Sequence, residues 1–149
     1  MIKEFQRDYR WLSNFASAEV VLDGVKYASV EHAYMSAKSS DPKWKAFCAD
    51  AKNSPGDVKR KSRTIDLRPD WEEVKLSIME QCVRQKMNQE PYRSKLLATG
   101  KEHIQEGNTW KDTFWGVDLK TGNGHNHLGK IIMKIRKELY ESKRTEGNT

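Results

Sequence analysis

Ala28-Ser29-Val30-Glu31-His32-Ala33-Tyr34-Met35-Ser36-Ala37-Lys38 reads as the start of a helix that carries a carboxylate and an amine. Ser29 is a good N-cap, because its hydroxyl accepts a hydrogen bond from the free N–H groups of the first turn. Glu31 falls in that turn, where the helix dipole favours negative charge. Lys38 follows Glu31 by seven residues. That is two helical turns, so the two side chains share a face, with Tyr34 and Ala37 on or near it. His32, Met35 and Ser36 point elsewhere. A glutamate and a lysine so spaced on a surface are ordinarily a solvated face. A carboxylate beside a partly desolvated lysine is also a proton carrier beside a nucleophile, because burial lowers the pKa of the amine.

Upstream of this stretch, Ala18 to Tyr27 sets two β-branched runs around Asp23-Gly24, the signal for a hairpin closed by a type I′ turn. The aromatic-rich segment Tyr9 to Phe15 is expected to form a short strand and turn. Downstream, Pro42 suits the first position of a helix over Lys43–Ala51, and Ser54-Pro55 starts another. A long helix is expected over 71–88 with Asp70 as N-cap, and a short one over 92–99 closed by Gly100. The last, over 128–142, buries Leu128, Ile131, Ile132, Ile135 and Leu139. With no linker long enough to divide it, the chain is expected to form a single domain over 1–142, with a frayed polar tail over 143–149.

Charged residues make up 32% of the chain and no apolar run approaches the length of a membrane span. Met1-Ile2-Lys3-Glu4-Phe5-Gln6 lacks an apolar targeting segment. Cys48 and Cys82 have no metal-type spacing and fall in helical segments, which fits reduced thiols in the cytoplasm. The net charge of +6 favours polyanionic partners such as nucleic acid, nucleotides or phosphorylated metabolites. In the run Lys59-Arg60-Lys61-Ser62-Arg63, four of five residues are cations, which form either a solvated helix face or a phosphate contact.

The segment 106–127 concentrates Glu106, Trp110, Asp112 and Trp115 with several glycines, Asn123, His125 and Asn126. Its tryptophans serve either as anchors of the loop or as stacking platforms for a flat ring. Gly122-Asn123-Gly124 permits close backbone approach to a ligand, but no P-loop pattern is present. Glu31, Glu106 and Asp112 are the carboxylates available for the acid–base work of glycosidic cleavage. His32, His103, His125 and His127 lack the spacing of a metal site, and no nucleophile elbow occurs.

Taken together, Leu12-Ser13-Asn14-Phe15, Asp23-Gly24, Ser29-Val30-Glu31-His32 with Lys38, Trp71-x-x-Val74-Lys75, Leu96-Leu97-Ala98-Thr99-Gly100, Asp112-x-Phe114-Trp115-Gly116 and Asn126-x-Leu128-Gly129 resemble the NADAR (NAD- and ADP-ribose-associated) family. The match runs from about Tyr9 to Leu139, with the blocks in the family's order. The resemblance implies a compact, mostly helical α+β domain with a small sheet packed on several helices, and hydrolysis of an N-glycosidic bond. It implies as substrate either ADP-ribose on guanine in nucleic acid or a phosphorylated ribosylamino-pyrimidine intermediate of riboflavin synthesis. A module that binds NAD or ADP-ribose without turnover is the remaining alternative. No cofactor is implied. Carried over by position, Glu31, Lys38 and Asp112 are the catalytic candidates, and Asn14, Phe15, Trp71, Trp115, Gly116 and Asn126 the ligand-binding ones. Lys38 then either attacks the anomeric carbon or holds the leaving base and phosphates. The chain departs from the family in reading Met35-Ser36-Ala37-Lys38-Ser39 where Gln-Ala-x-Lys-Phe is usual.

Overall fold

The computed structural model describes residues 1–147. The fold is α+β and mostly helical, as expected. Two compact units divide the chain: Asn14–Lys86, and Met1–Ser13 with Met87–Thr149. No described helix is long and apolar enough to cross a membrane.

In the unit of residues 14–86, β1 (Ser17–Leu22) and β2 (Val25–Ser29) form an antiparallel hairpin. Asp23 (φ 51°) and Gly24 (φ 79°) both lie in the left-handed region, which is the type I′ geometry that Asp-Gly predicts. Val20, Leu22 and Tyr27 are buried, while Val21 and Val25 are exposed. The open edge at Val21 is closed by one side chain. Gln85 accepts from Val21 N–H (2.8 Å) and donates to Val21 C=O (2.7 Å), copying a strand partner.

Helix α1 (Val30–Ser36) packs against this hairpin, and all seven of its residues are buried. Burial on every side requires each polar group to find a partner. Ser29 Oγ accepts from His32 N–H at 3.2 Å and lies 2.6 Å from His32 Nδ1, while His32 Nε2 lies 2.8 Å from Asn53 C=O. A carbonyl only accepts, so Nε2 carries the ring proton and Ser29 donates its hydroxyl proton to Nδ1. At the other end, Trp44 Nε1 donates to Met35 C=O (2.8 Å) and Lys45 Nζ to Ser36 C=O (3.2 Å). Both donors come from α2 (Pro42–Ala49), which is capped by Asp41 with Pro42 at its first position. Helix α3 (Pro55–Lys61) opens with a capping box between Ser54 and Asp57. Helix α4 (Trp71–Met87) follows. Cys48 and Cys82 are free buried thiols, pushed up to about 12 by burial.

Three boundaries in the chain differ from expectation. Helix α1 stops at Ser36, because its last turn tightens: Ala37 N–H and Lys38 N–H reach back only three residues, to Tyr34 and Met35. Lys38 therefore follows the helix rather than riding on it. The expected N-terminal strand is instead a 3-10 helix over Arg7–Leu12, in the other unit. It buries only Leu12 and is closed by local bonds such as Ser13 N–H to Arg10 C=O. Helix α6 (His127–Gly147) runs through most of the expected tail, since Lys143, Arg144 and Glu146 continue a helix and no breaker precedes Gly147. The rest of that tail call, Asn148 and Thr149, lies outside the described residues.

In the unit of residues 1–13 with 87–149, α5 (Tyr92–Ala98) packs on α6. Gly100 (φ 63°) ends α5 as expected. Leu128, Ile131, Ile132, Ile135 and Leu139 of α6 are all buried, as their helical spacing requires. A parallel pair, β3 (Gly107–Asn108) and β4 (Val117–Asp118), ties the loop before α6 together.

Ser29 serves both the cap and the His32 tautomer. Ser29→Ala is expected to lower stability by about 1–3 kcal/mol. The check is a fall in the urea midpoint with an unchanged slope.

Candidate active site

Glu31, Lys38, Trp71, Asn14 and Phe15 all belong to the unit of residues 14–86. Glu31 lies in the first turn of α1 with 6% of its surface exposed. Its N–H donates to Asn14 C=O at 3.1 Å, which fixes the Asn14-Phe15 segment against the helix start. Asn14 directs its side-chain amide at the sulfur of Met79, 3.5 Å away.

Lys38 is held from both sides of its backbone. Its N–H donates to Met35 C=O (3.1 Å) and its C=O accepts from Arg68 N–H (2.8 Å). The amine lies 5.9 Å from the Tyr34 ring centroid and 6.0 Å from that of Trp71. Those two rings stack with centroids 5.1 Å apart and an interplanar angle of 30°. Among the described residues Nζ makes no hydrogen bond and no ion pair. Burial pushes the Lys38 ammonium below its ordinary value; Glu31 opposes that shift, and Lys59 and Lys75 reinforce it. A half-buried amine of lowered pKa can act as a nucleophile, and a buried carboxylate within Coulombic reach can carry a proton.

Trp71 is 5% exposed and stacks on Tyr34, with its ring beside the Lys38 amine. Tyr34 and Lys75 are absent from the catalytic and ligand-binding candidates that the sequence supplied, and Lys59 entered only as part of the basic run. Tyr34 had a signal: it lies three residues after Glu31 and four before Lys38. Lys75 follows Trp71 by one helical turn, and Lys59 leads the basic run.

Asp112, Trp115, Gly116 and Asn126 belong to the other unit. Here the loop 106–128 is a closed hydrogen-bonded structure. Asp112 Oδ1 accepts from Phe114 N–H (3.1 Å) and Trp115 N–H (3.0 Å), whereas Oδ2 takes no hydrogen bond from the described residues. Buried Asn108 clamps Asp112 by accepting from its N–H (3.0 Å) and donating to its C=O (2.9 Å). Asn108 also donates to the Glu106 carboxylate at 3.0 Å. Asn126 is buried with φ 53°; it accepts from Glu106 N–H and donates to Ile104 C=O, both at 2.9 Å. A Cβ at Gly116 would come within 1.8 Å of the Glu106 carboxylate. Gly116 and Asn126 thus hold the loop together, whatever else they do. Trp115 is half-buried, edge-on to Phe114 with centroids 4.8 Å apart. No group of three or more His, Cys, Asp and Glu among the described residues is placed to hold a metal.

The NADAR domain family matches residues 2–140. This chain belongs to the NADAR family. N-glycosidase YbiA of Escherichia coli (strain K12) is 34% identical over 135 residues, covering 89% of this chain and 82% of that protein. N-glycosidase Npun_R5314 of Nostoc punctiforme is 35% identical over 136 residues, covering 88% and 86%. Riboflavin biosynthesis protein VVA0006 of Vibrio vulnificus is 33% identical over 141 residues, and the chain spans only 38% of its length. The NMR structure of the E. coli protein YbiA superposes with a TM-score of 0.81 at 30% identity, covering 96% of this chain and 89% of that one.

In this NADAR chain the loop-ordering duty of Asp112 is separable from its charge. Asp112→Asn keeps an oxygen for Phe114 and Trp115 N–H and is expected to retain the wild-type melting temperature within about 2 °C, whereas Asp112→Ala lowers stability by about 1–2 kcal/mol. Thermal melts of both variants check this, and loss of turnover in Asp112→Asn at full stability would assign the carboxylate charge to chemistry.

Proposed function

We propose that this chain is a cytoplasmic N-glycosidase that cleaves the bond between C1′ of a phosphorylated or ADP-ribosylated ribose and a nucleobase or base-like amine, with Lys38 as nucleophile. The class of reaction follows from family membership and from the names of relatives matched over 82% and 86% of their length. The observation that carries the residue assignment is the Lys38 amine, half-buried against Tyr34 and Trp71 and lowered in pKa. Neutral Nζ forms a bond to C1′ as the C1′–N bond breaks, and the proton that Nζ sheds passes through the Glu31 carboxylate to the leaving base. Uptake of a proton from solvent at the ring oxygen opens the ribose and leaves an iminium between Nζ and C1′. Addition of one water then releases the sugar and restores the lysine. Asp112 is assigned to ribose hydroxyls or to that water on the resemblance.

Two substrates fit this chemistry. The net charge of +6 supports ADP-ribose on guanine in nucleic acid, because a polyanion is drawn to a cationic protein. Names such as riboflavin biosynthesis protein among the relatives support a phosphorylated ribosylamino-pyrimidine. Incubation with both substrate classes, with released base read by mass spectrometry, decides between them. Release from neither would return the chain to a binding module. Two free, buried cysteines support the cytoplasmic assignment.

Borohydride added during turnover is expected to trap a covalent sugar adduct on Lys38, and Lys38→Arg to abolish it. Only the neutral amine attacks, so the trapping rate rises with pH through the Lys38 pKa, which lies below the ordinary lysine value. Glu31 raises that pKa. Glu31→Gln therefore moves the inflection of the trapping profile to lower pH while slowing base release by about 100-fold or more. An inflection that stays in place would contradict this pairing.

A further inference from the structure

The basic run of residues 59–63 does not act as one patch. Arg60 pairs with Asp57, and Lys61 lies over the Phe47 ring at 5.5 Å. Lys59, which is half-buried, lies instead over the Phe15 ring at 5.8 Å. Phe15 follows Asn14, whose C=O is bonded to Glu31 N–H, so Lys59 is brought to the start of α1. From α4, Lys75 arrives one turn after Trp71, whose ring walls Lys38. The Lys75 side chain is only 15% exposed and its Nζ is 2.6 Å from Glu72, a residue whose own side chain is 78% exposed. Lys59 from α3 and Lys75 from α4 thus come within electrostatic reach of the Lys38 amine that follows α1, as does the buried carboxylate of Glu31. Of the five charged groups named, with Glu72 counted, three are cations and two are carboxylates. Such an excess costs free energy in a folded protein, since like charges in partly desolvated surroundings repel strongly. The repulsion is felt at Lys38, which both neighbours depress.

We propose that Lys59 and Lys75 form an anion subsite beside Lys38 that takes a phosphate of the substrate. Phe15, under Lys59, and Trp71, one turn before Lys75, supply its apolar floor. Two separately anchored ammonium groups suit the several oxygens of one phosphate, each as a strong charge-assisted donor. The bound dianion offsets the repulsion among the three lysines, so occupancy and charge balance go together. This inference rests on the reading of Lys38 as the centre of a ribosyl site, but its test needs no turnover.

Isothermal calorimetry compares ribose 5-phosphate, ribose and inorganic phosphate on the full chain. Ribose 5-phosphate is expected to bind at least about tenfold more tightly than ribose, to be displaced by inorganic phosphate, and to weaken as salt rises. Lys59→Gln and Lys75→Gln each cost about fivefold to tenfold in ribose 5-phosphate affinity, and the double variant erases the preference over ribose. Lys59→Arg and Lys75→Arg, which keep the charge, retain most of it. Equal binding of ribose and ribose 5-phosphate by the wild-type protein would overturn the subsite whether or not the variants fold. So would a folded double-Gln variant with undiminished phosphate preference. Failure of the hydrolase reading is distinguishable, because it shows as phosphate-dependent binding without base release.

Discussion

The complete burial of α1 is the constraint on which the surrounding structure depends. A seven-residue helix with no solvent face cannot leave its ends to water, so neighbouring elements must satisfy them. Ser29 at the end of β2 does so at one terminus, and Trp44 and Lys45 from α2 do so at the other. The same requirement fixes His32, whose two ring nitrogens are taken by Ser29 and by Asn53 C=O. A helix held in this way by β2, α2 and the 53–54 turn has little freedom to shift. Glu31 and the Tyr34 ring are therefore preorganised, and preorganisation is what lets a few side chains act on a substrate without moving first.

The amine of Lys38 shows how opposing effects settle the state of one group. Desolvation and two like charges work against the ammonium, while one carboxylate supports it. Each pK unit corresponds to about 1.4 kcal/mol, so small changes in any neighbour alter the share of neutral amine. Ending the helix at Ser36 contributes directly. Had α1 continued, Lys38 would follow the helix surface; instead its backbone is tied to Met35 and Arg68, and its side chain lies against the Tyr34–Trp71 stack.

The loop 106–128 separates two uses of a motif. Asp112, Gly116 and Asn126 all appear in the family pattern, yet most of their atoms are spent on the loop itself. Asn108, which no sequence pattern singled out, is as deeply engaged as any of them. A motif residue is thus not by that fact a ligand contact. The Asp112 carboxylate is the instructive case, with one oxygen ordering the chain and the other left for further use.

The sequence by itself determined the elements whose information is local. The Asp23-Gly24 turn, the Ser29 cap, the Pro42 and Ser54-Pro55 helix starts and the apolar stripe of α6 each depend on residues a few positions apart, and each stands as read. The order of motif blocks likewise determined the family. Only tertiary structure decided the rest, because it depends on groups distant in sequence. Whether Arg7–Leu12 became a strand depended on a partner strand, and none pairs with it among the described residues. Whether Glu31 was solvated or buried depended on what packed against α1. That Lys59 and Lys75, sixteen residues apart, both act on Lys38 is a fact of packing, which no spacing in the chain encodes.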